Sequence, residues 1–273
     1  MASDINDHLK NAFDFLNDNK IRRAKSAIMR AVSGVEVSWE GSTFNLYPAD
    51  NYSDRVFWKT GIPDEEQSIR KLLSLVSDRV VTFWDIGANC GIFSVLVGNT
   101  CKKGSKIFSF EPNPEMFRRL NNNIRANKLS TRVTLKNIAL SDEVGETSLH
   151  IYEGNLGRAT LRSNDDKSKD REIRVAVEPL AAYLAQAVPN SLKVIKIDVE
   201  GFEDRVLMPW INQSEKLDEV DYLLIEDAHR TQWGTDVISE LMNSGFEAVF
   251  SGEGNMLLQS PSMKSRLEAE ADS

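Results

Sequence analysis

From residue 80 onward the sequence adopts a rhythm that few architectures accept. Short apolar runs, each closed by glycine, proline or an acid, alternate with stretches of helical periodicity. Parallel strands need a long crossover between them, and a helix is the usual crossover, so this alternation predicts βαβ units and a mostly parallel sheet. Strands are predicted at 81–86, 106–110, 132–137, 193–198, 221–226, 246–250 and 255–259. Helices are predicted near 91–100, 114–127, 203–210 and 235–244, with a shorter one near 179–187. The last two runs turn back on each other across Gly252 and Gly254, so one closing strand is expected to be antiparallel. A more polar excursion from about 140 to 178 interrupts the pattern, and its charged centre, Arg162 to Glu172, is expected to be a loop.

Upstream the rhythm differs. Ile5, Leu9, Phe13 and Leu16, then Ile21, Ala24, Ile28 and Ala31, recur at helical spacing and predict helix over 5–32. The plainest reading is a helical pair packed on the main domain, with a lid or a contact between copies of the chain as alternatives. Residues 35–48 alternate around a Glu-Gly turn and predict a β-hairpin. Gly61-Ile62-Pro63 breaks the chain, and Asp64 is the expected N-cap of a helix near 65–76. The expected organisation is a helical and hairpin extension over 1–60 and a main domain over 61–273.

Composition narrows the function classes. Of the 273 residues 41% are apolar, enough for a sizeable core, and the net charge is −8. Without a long basic run, an acidic chain repels phosphate backbones, so no nucleic-acid partner is expected. Cys90 and Cys101 form no disulfide framework, and His8, His150 and His229 are too scattered for zinc. The polar N-terminus is unlike a signal peptide, and no apolar stretch approaches the ~18 residues of a membrane span. A cytoplasmic enzyme without membrane attachment is expected.

The first predicted sheet strand runs into Phe83-Trp84-Asp85-Ile86-Gly87-Ala88-Asn89-Cys90-Gly91, where a helix opens. Glycines there permit a sharp turn and close approach of a ligand, and the helix N-terminus offers free N–H groups. By itself the loop is equally compatible with an ordinary βα turn. The second strand ends at Glu111-Pro112-Asn113-Pro114, where a carboxylate can accept from both hydroxyls of a ribose. A surface capping charge is the alternative for Glu111, and the two turns together favour a nucleoside. The triplet of glycines that makes room for a dinucleotide pyrophosphate is missing, and Asp85 suits a cationic amine. Both points favour S-adenosylmethionine over NAD.

A third strand end carries Lys196-Ile197-Asp198-Val199-Glu200-Gly201, and a fourth carries Glu226-Asp227 with His229 beyond. Open α/β sheets bind ligands outside the carboxyl ends of their strands, so these acids share a rim with Gly87 and Glu111. Acids there can orient an acceptor, take its proton or balance a sulfonium charge. Glu203 and Asp204 read as first-turn helix charges, and Lys196 as a partner of a neighbouring acid. Carboxylate pairs alone do not define coordination, and no metal is expected.

Taken together, these segments, with Asn137-Ile138-Ala139-Leu140-Ser141, resemble the FkbM family of S-adenosylmethionine-dependent methyltransferases over roughly residues 45 to 260. The resemblance implies a Rossmann-like class I methyltransferase sheet. It implies that Asp85, Gly87 and Asn89 line the methionine end of the cofactor beside the helix start at Gly91, that Glu111 with Pro112 holds the ribose, and that Ala139 and Ser141 lie near adenine. Glu66 matches an acidic position ahead of the core. The family is associated with O-methylation of sugars and secondary metabolites, which implies a small hydroxyl acceptor. Glu178-Pro179-Leu180 departs from the family's Thr-Leu-Asp sequence.

An unactivated hydroxyl needs a base. Asp198 and His229 are the candidates, with Glu200 and Glu226 as orienting acids. Tyr52, Phe57, Trp58 and Trp233 are candidate pocket walls or packing residues. An NAD-linked oxidoreductase and a non-catalytic adenosyl-binding protein are the competing readings.

Overall fold

The computed structural model describes residues 9–12, 34–152, 154–162 and 170–272. Its centre is the expected seven-stranded sheet. β1 (Val35–Trp39) and β2 (Ser42–Leu46) form the hairpin, and β3 (Val81–Ile86), β4 (Lys106–Phe110) and β5 (Val133–Lys136) open the main sheet. β6 (Ala139–Leu140), β7 (Gly145–Tyr152), β8 (Asn155–Thr160) and β9 (Asp170–Glu178) follow. β10 (Leu192–Ile197), β11 (Tyr222–Glu226), β12 (Glu247–Gly252) and β13 (Asn255–Gln259) complete it, in the order β12-β13-β11-β10-β3-β4-β5. β13 alone runs antiparallel to its neighbours, as the closing hairpin predicts.

The helices are α1 (Tyr52–Thr60), α2 (Glu66–Val76), α3 (Ile92–Thr100), α4 (Pro114–Ala126), α5 (Ala181–Leu184), α6 (Glu203–Ile211), α7 (Val237–Asn243) and α8 (Pro261–Ala271). They cover both faces of the sheet. Successive residues of β3 therefore serve different cores: Phe83 packs with Leu72, Val95 and Leu120, whereas Trp84 packs with Tyr183, Val206 and Leu241. A central parallel strand buried on both faces reads as a continuous apolar run, and all six residues of β3 are buried.

The loop expected over Arg162 to Glu172 lies mostly outside the described residues, and its last three residues open a strand. β6, β9, β7 and β8 form a second, four-stranded sheet in that order, and β9 begins inside the charged segment. Only one face of this sheet is apolar, with Leu149, Ile151, Val175 and Val177 turned inward. The charged residues occupy the other positions, which is why the segment reads as polar.

α1 was not anticipated either. It buries Phe57 and Trp58 in the core with Phe44 of the hairpin. Asn123 of α4 and Asn127, which caps its C-terminus, bond the backbone of β2, Asn45 N–H donating to Asn123 Oδ1 at 2.8 Å and Asn127 Nδ2 donating to Thr43 O at 2.6 Å. The described part of the extension thus shares the main core. The helix expected over 5–32 lies outside the described residues except at 9–12, which are helical, with Leu9 packed on the core.

Candidate active site

A pocket of about 260 Å³ opens at the carboxyl ends of β3, β4, β10 and β11. Residues 51–53 and 64–65 and β8 of the second sheet also line it, with Tyr52 N–H donating to Asn155 Oδ1 of β8 at 3.0 Å. This is where the strand order places a ligand in an open α/β sheet.

The glycine loop forms its floor. Gly87 and Ala88 donate their N–H groups to Phe110 O at 3.0 and 2.9 Å, which ties the tip of β3 to that of β4. Gly87 has φ +75°, and a β-carbon there would lie 1.8 Å from Asp198 O. Asn89 and Asn113 donate backbone N–H groups to the two carboxylate oxygens of Glu111, each at 2.8 Å. Glu111 therefore cross-links the two turns while facing the pocket. Burial pushes its carboxyl up to about 7, against the pull of those N–H donors. Its oxygens keep lone pairs for further donors. Phe110, Pro112, Ile138, Ala139 and Leu140 give the adjoining wall an apolar surface.

Four residues expected at the cofactor do not line this pocket: Asp85, Gly91, Ser141 and Glu66. Asp85 is fully buried beneath it, accepting from Ser94 Oγ at 2.5 Å with Lys196 Nζ 3.9 Å away. Gly91 serves packing: a β-carbon there would lie 2.5 Å from Leu120 Cδ1. Ser141 donates its hydroxyl to Asp142 at 3.0 Å.

The opposite end is acidic. Asp198, Glu200 and Glu226 all line the pocket, as the strand ends predict. Beneath them Lys196 Nζ stands 3.7 Å from Asp198 Oδ2 and donates to Gly87 O at 3.0 Å. Burial works against its charge, but Asp198, Asp85, Glu65 and Glu226 more than offset that and hold the ammonium above its ordinary value. Glu226 is driven well above the usual carboxylate range, first by burial and then by Asp198 and Glu200.

Glu66 starts α2 and is turned away from the pocket. It pairs with Arg70 at 2.8 Å, one helical turn on, and does not line the pocket. Glu65 does, with Asn255 Nδ2 donating to its Oε1 at 2.6 Å, and burial raises its carboxyl. Asp64 is accordingly not the N-cap; Glu65 occupies that place.

Glu200 has φ +54° and is followed by Gly201 at φ +94°, a turn that presents the Glu200 carboxylate between two walls. His229 Nε2 lies 3.0 Å from Glu200 Oε2, and Arg158 Nε of β8 lies 3.6 Å from the same oxygen. Gln232 Nε2 meets His229 Nδ1 at 3.1 Å. With Nε2–H donating to Glu200 and Nδ1 accepting from Gln232, both ring nitrogens are engaged. His229 itself does not line the pocket. The Glu200 bond raises its imidazole above 6.5, opposed by burial.

Glu203 and Asp204 lie in the first turn of α6 as expected but are buried, not surface charges. Glu203 accepts from Val199 N–H at 2.9 Å and from Trp233 Nε1 at 2.7 Å, and Asp204 accepts from Gly234 N–H at 2.7 Å. They shape the loops around Asp198 and His229. Of the aromatic candidates, Tyr52 lines the pocket, whereas Phe57, Trp58 and Trp233 are core. Glu178, where the sequence departs from the family pattern, accepts from Tyr183 Oη at 2.6 Å. Asn51, Glu65, Arg158 and Glu253 line the pocket without having been singled out. No helix among the described residues is long and apolar enough to cross a membrane.

The model of the methyltransferase FkbM domain matches residues 85–248. The chain is 24% identical over 205 residues to the hexuronic acid methyltransferase AglP of Haloferax volcanii, covering 74% of this chain and 77% of that protein. Solved structures with a similar trace include a putative O-methyltransferase from Klebsiella pneumoniae, at 11% identity and TM-score 0.40 over 76% of this chain and 88% of that one. Another is an RNA methyltransferase from Salinibacter ruber in complex with S-adenosyl-L-homocysteine, at 12% identity and TM-score 0.35 over 73% and 92%. The family match spans more than half of the chain and contains the glycine loop, Glu111 and the acidic strand ends. The chain therefore belongs to the FkbM methyltransferase family.

Proposed function

We propose that the protein is an S-adenosylmethionine-dependent O-methyltransferase acting on a hydroxyl of a sugar or another small metabolite. The observation that carries this reading is Glu111, a pocket-facing carboxylate that clasps the tips of β3 and β4 between an apolar wall and an acidic end. The residues present fit the cofactor. Glu111 offers acceptor atoms for ribose hydroxyls, and the wall of Phe110, Ile138, Ala139 and Leu140 suits a flat base. Asp198 and Glu65 offer negative charge for an amino acid cation. When bound, S-adenosylmethionine would supply an electrophilic methyl group carried on a sulfonium.

The chain's own part is alignment and proton removal. Glu200 is the group we assign to the acceptor proton, because it lines the pocket and accepts from His229 on its other side. His229 has both ring nitrogens engaged and does not line the pocket, and Asp198 faces the buried Lys196, so we give Glu200 the role expected of them from sequence. The name of the Haloferax relative supports a sugar-derived acceptor.

Calorimetry with S-adenosylhomocysteine and NADH tests the cofactor. Uptake of the first alone is expected, and uptake of NADH alone would return the oxidoreductase reading. Incubation of the labelled methyl donor with a panel of sugars and uronic acids, read by mass spectrometry, tests the acceptor. Binding without transfer across the panel would favour the non-catalytic reading.

A further inference from the structure

β10 and β11 run parallel with Ile197 opposite Ile225, so the next residues, Asp198 and Glu226, end their strands side by side. Carboxylate oxygens of the two lie within 4.8 Å of each other. Asp198 Oδ1 and Glu226 Oε2 are both shut off from solvent and have no hydrogen-bond partner among the described residues. Two ionised carboxylates left this way would each be unsatisfied and would repel; something must stand between them.

We infer that Glu226 is held as a neutral carboxylic acid that donates its proton to Asp198, making it a positioning residue for the methyl-transfer site. A proton fits the gap better than a metal ion. Glu203, the third carboxylate of this cluster, already accepts from Val199 N–H, Gly201 N–H and Trp233 Nε1. Lys196 Nζ stands 3.7 Å from the other oxygen of Asp198 and repels a cation. The remaining surroundings point the same way. Glu200 and Glu203 add negative charge beside Glu226, and Glu65 adds it beside Asp198. Lys196 is the cation facing Asp198, Glu65 and Glu226, whereas Arg158 and His229 face Glu200. From β13, Asn255 pairs in register with Glu226 while its amide donates to Glu65. The dyad thereby carries one negative charge, on Asp198, with one oxygen toward Lys196 and the other taking the Glu226 proton. Asp198 is a fixed anion on the pocket wall, and the acceptor proton is left to Glu200.

This deepens the reading of the pocket proposed above and rests on it for the binding experiment; the spectroscopic experiment needs no ligand. Infrared spectra of the full chain at pH 8 should contain a protonated-carboxyl stretch that Glu226→Gln removes. Its absence from the wild type would overturn the inference whatever the pocket binds. With S-adenosylhomocysteine as probe, Glu226→Ala should weaken affinity about 10-fold or more, the cost of orphaning a buried charged acceptor. Glu226→Gln, whose amide can donate to Asp198, should restore most of that loss. A glutamine variant as weak as the alanine variant would overturn it. So would a chelator-sensitive affinity restored by Mg²⁺, because that result puts a metal between the two carboxylates.

Discussion

A β-carbon added to Gly87 would stand 1.8 Å from the carbonyl oxygen of Asp198. The tip of β3 and the tip of β10 are thus in backbone contact across the floor of the pocket, and the obstructing atom belongs to a chain that cannot rotate aside. Positive φ alone makes Gly87→Ala cost about 1–2 kcal/mol. The clash adds to that, so a loss of more than about 3 kcal/mol is expected from chemical denaturation. Gly41→Ala is the control: it shares the positive φ but has nothing within 4 Å of the new carbon. A Gly87→Ala protein no less stable than Gly41→Ala would show that the two tips are not packed as described.

Glu111 leads to a pH prediction. Its folded carboxyl is raised to about 7 from the ordinary 4.5. Between those values the folded protein retains a proton that the unfolded chain has released. Stability then falls as pH rises through the window, because the native state is the one binding more protons. The raised Glu65 carboxyl acts in the same direction. The ligand-free protein should lose thermal stability from about pH 5 to pH 8. Affinity for S-adenosylhomocysteine should rise over the upper part of that range, as the acceptor form of Glu111 is populated. Glu111→Gln should flatten the binding profile and weaken affinity by about 1–3 kcal/mol. An unchanged profile in that variant would remove Glu111 from the ribose site.

The reason these predictions could be framed from sequence at all is that β3, β4, β10 and β11 are buried on both faces. Their apolar runs have no competing reading, and a strand end is the place where such a run stops. Glu111, Asp198, Glu200 and Glu226 follow directly from that and do line the pocket. Two kinds of fact were beyond reach. Helix phase near α2 hinges on a single residue, so Glu65 and Glu66 could not be told apart until the helix was docked. Consumption of charge was also hidden: Asp85 looks like a ligand group in sequence, but Lys196 and Ser94 occupy it from two other elements. The second sheet was legible in part, since Leu149 and Ile151 alternate with His150 and Tyr152. Its charged outer face masked that pattern.

Proton transfer should respond differently to Glu200 and His229. Glu200→Gln removes the pocket-facing base and should lower kcat by about 100-fold or more, with cofactor affinity little changed. His229→Ala leaves the carboxylate but releases its orientation, so a smaller loss is expected, with KM rising alongside. His229 is raised above 6.5, with its bond to Glu200 as the largest cause. Its ring is therefore charged below that raised value and neutral above it, and turnover should climb as pH passes through it. Stability runs the opposite way, being greatest at low pH and lost as His229 deprotonates. Equal kcat losses in both variants, with the same pH profile, would contradict the assignment.

The position of Glu65 depends on a clamp between elements far apart in sequence. Glu253, in the turn between β12 and β13, accepts from Gln67 N–H at 3.2 Å, Ser68 N–H at 3.0 Å and Ser68 Oγ at 3.1 Å. It supplies the cap that α2 lacks, since the Glu65 side chain makes no capping bond of its own. Two N–H groups of the first turn become unsatisfied in Glu253→Ala, a loss of about 1 kcal/mol by analogy with ordinary N-caps. The same change frees the helix start that carries Glu65 over the pocket, so S-adenosylhomocysteine affinity should fall as well. Ser68→Ala removes only the hydroxyl bond and leaves both N–H groups capped, so it should reduce stability less and leave affinity nearly intact. Hydrogen exchange at the amides of Gln67 and Ser68 reads the clamp directly: protection should collapse in Glu253→Ala and persist in Ser68→Ala. If exchange accelerates in Glu253→Ala while affinity stays at the wild-type value, then Glu65 is held by Asn255 alone and the clamp serves stability only.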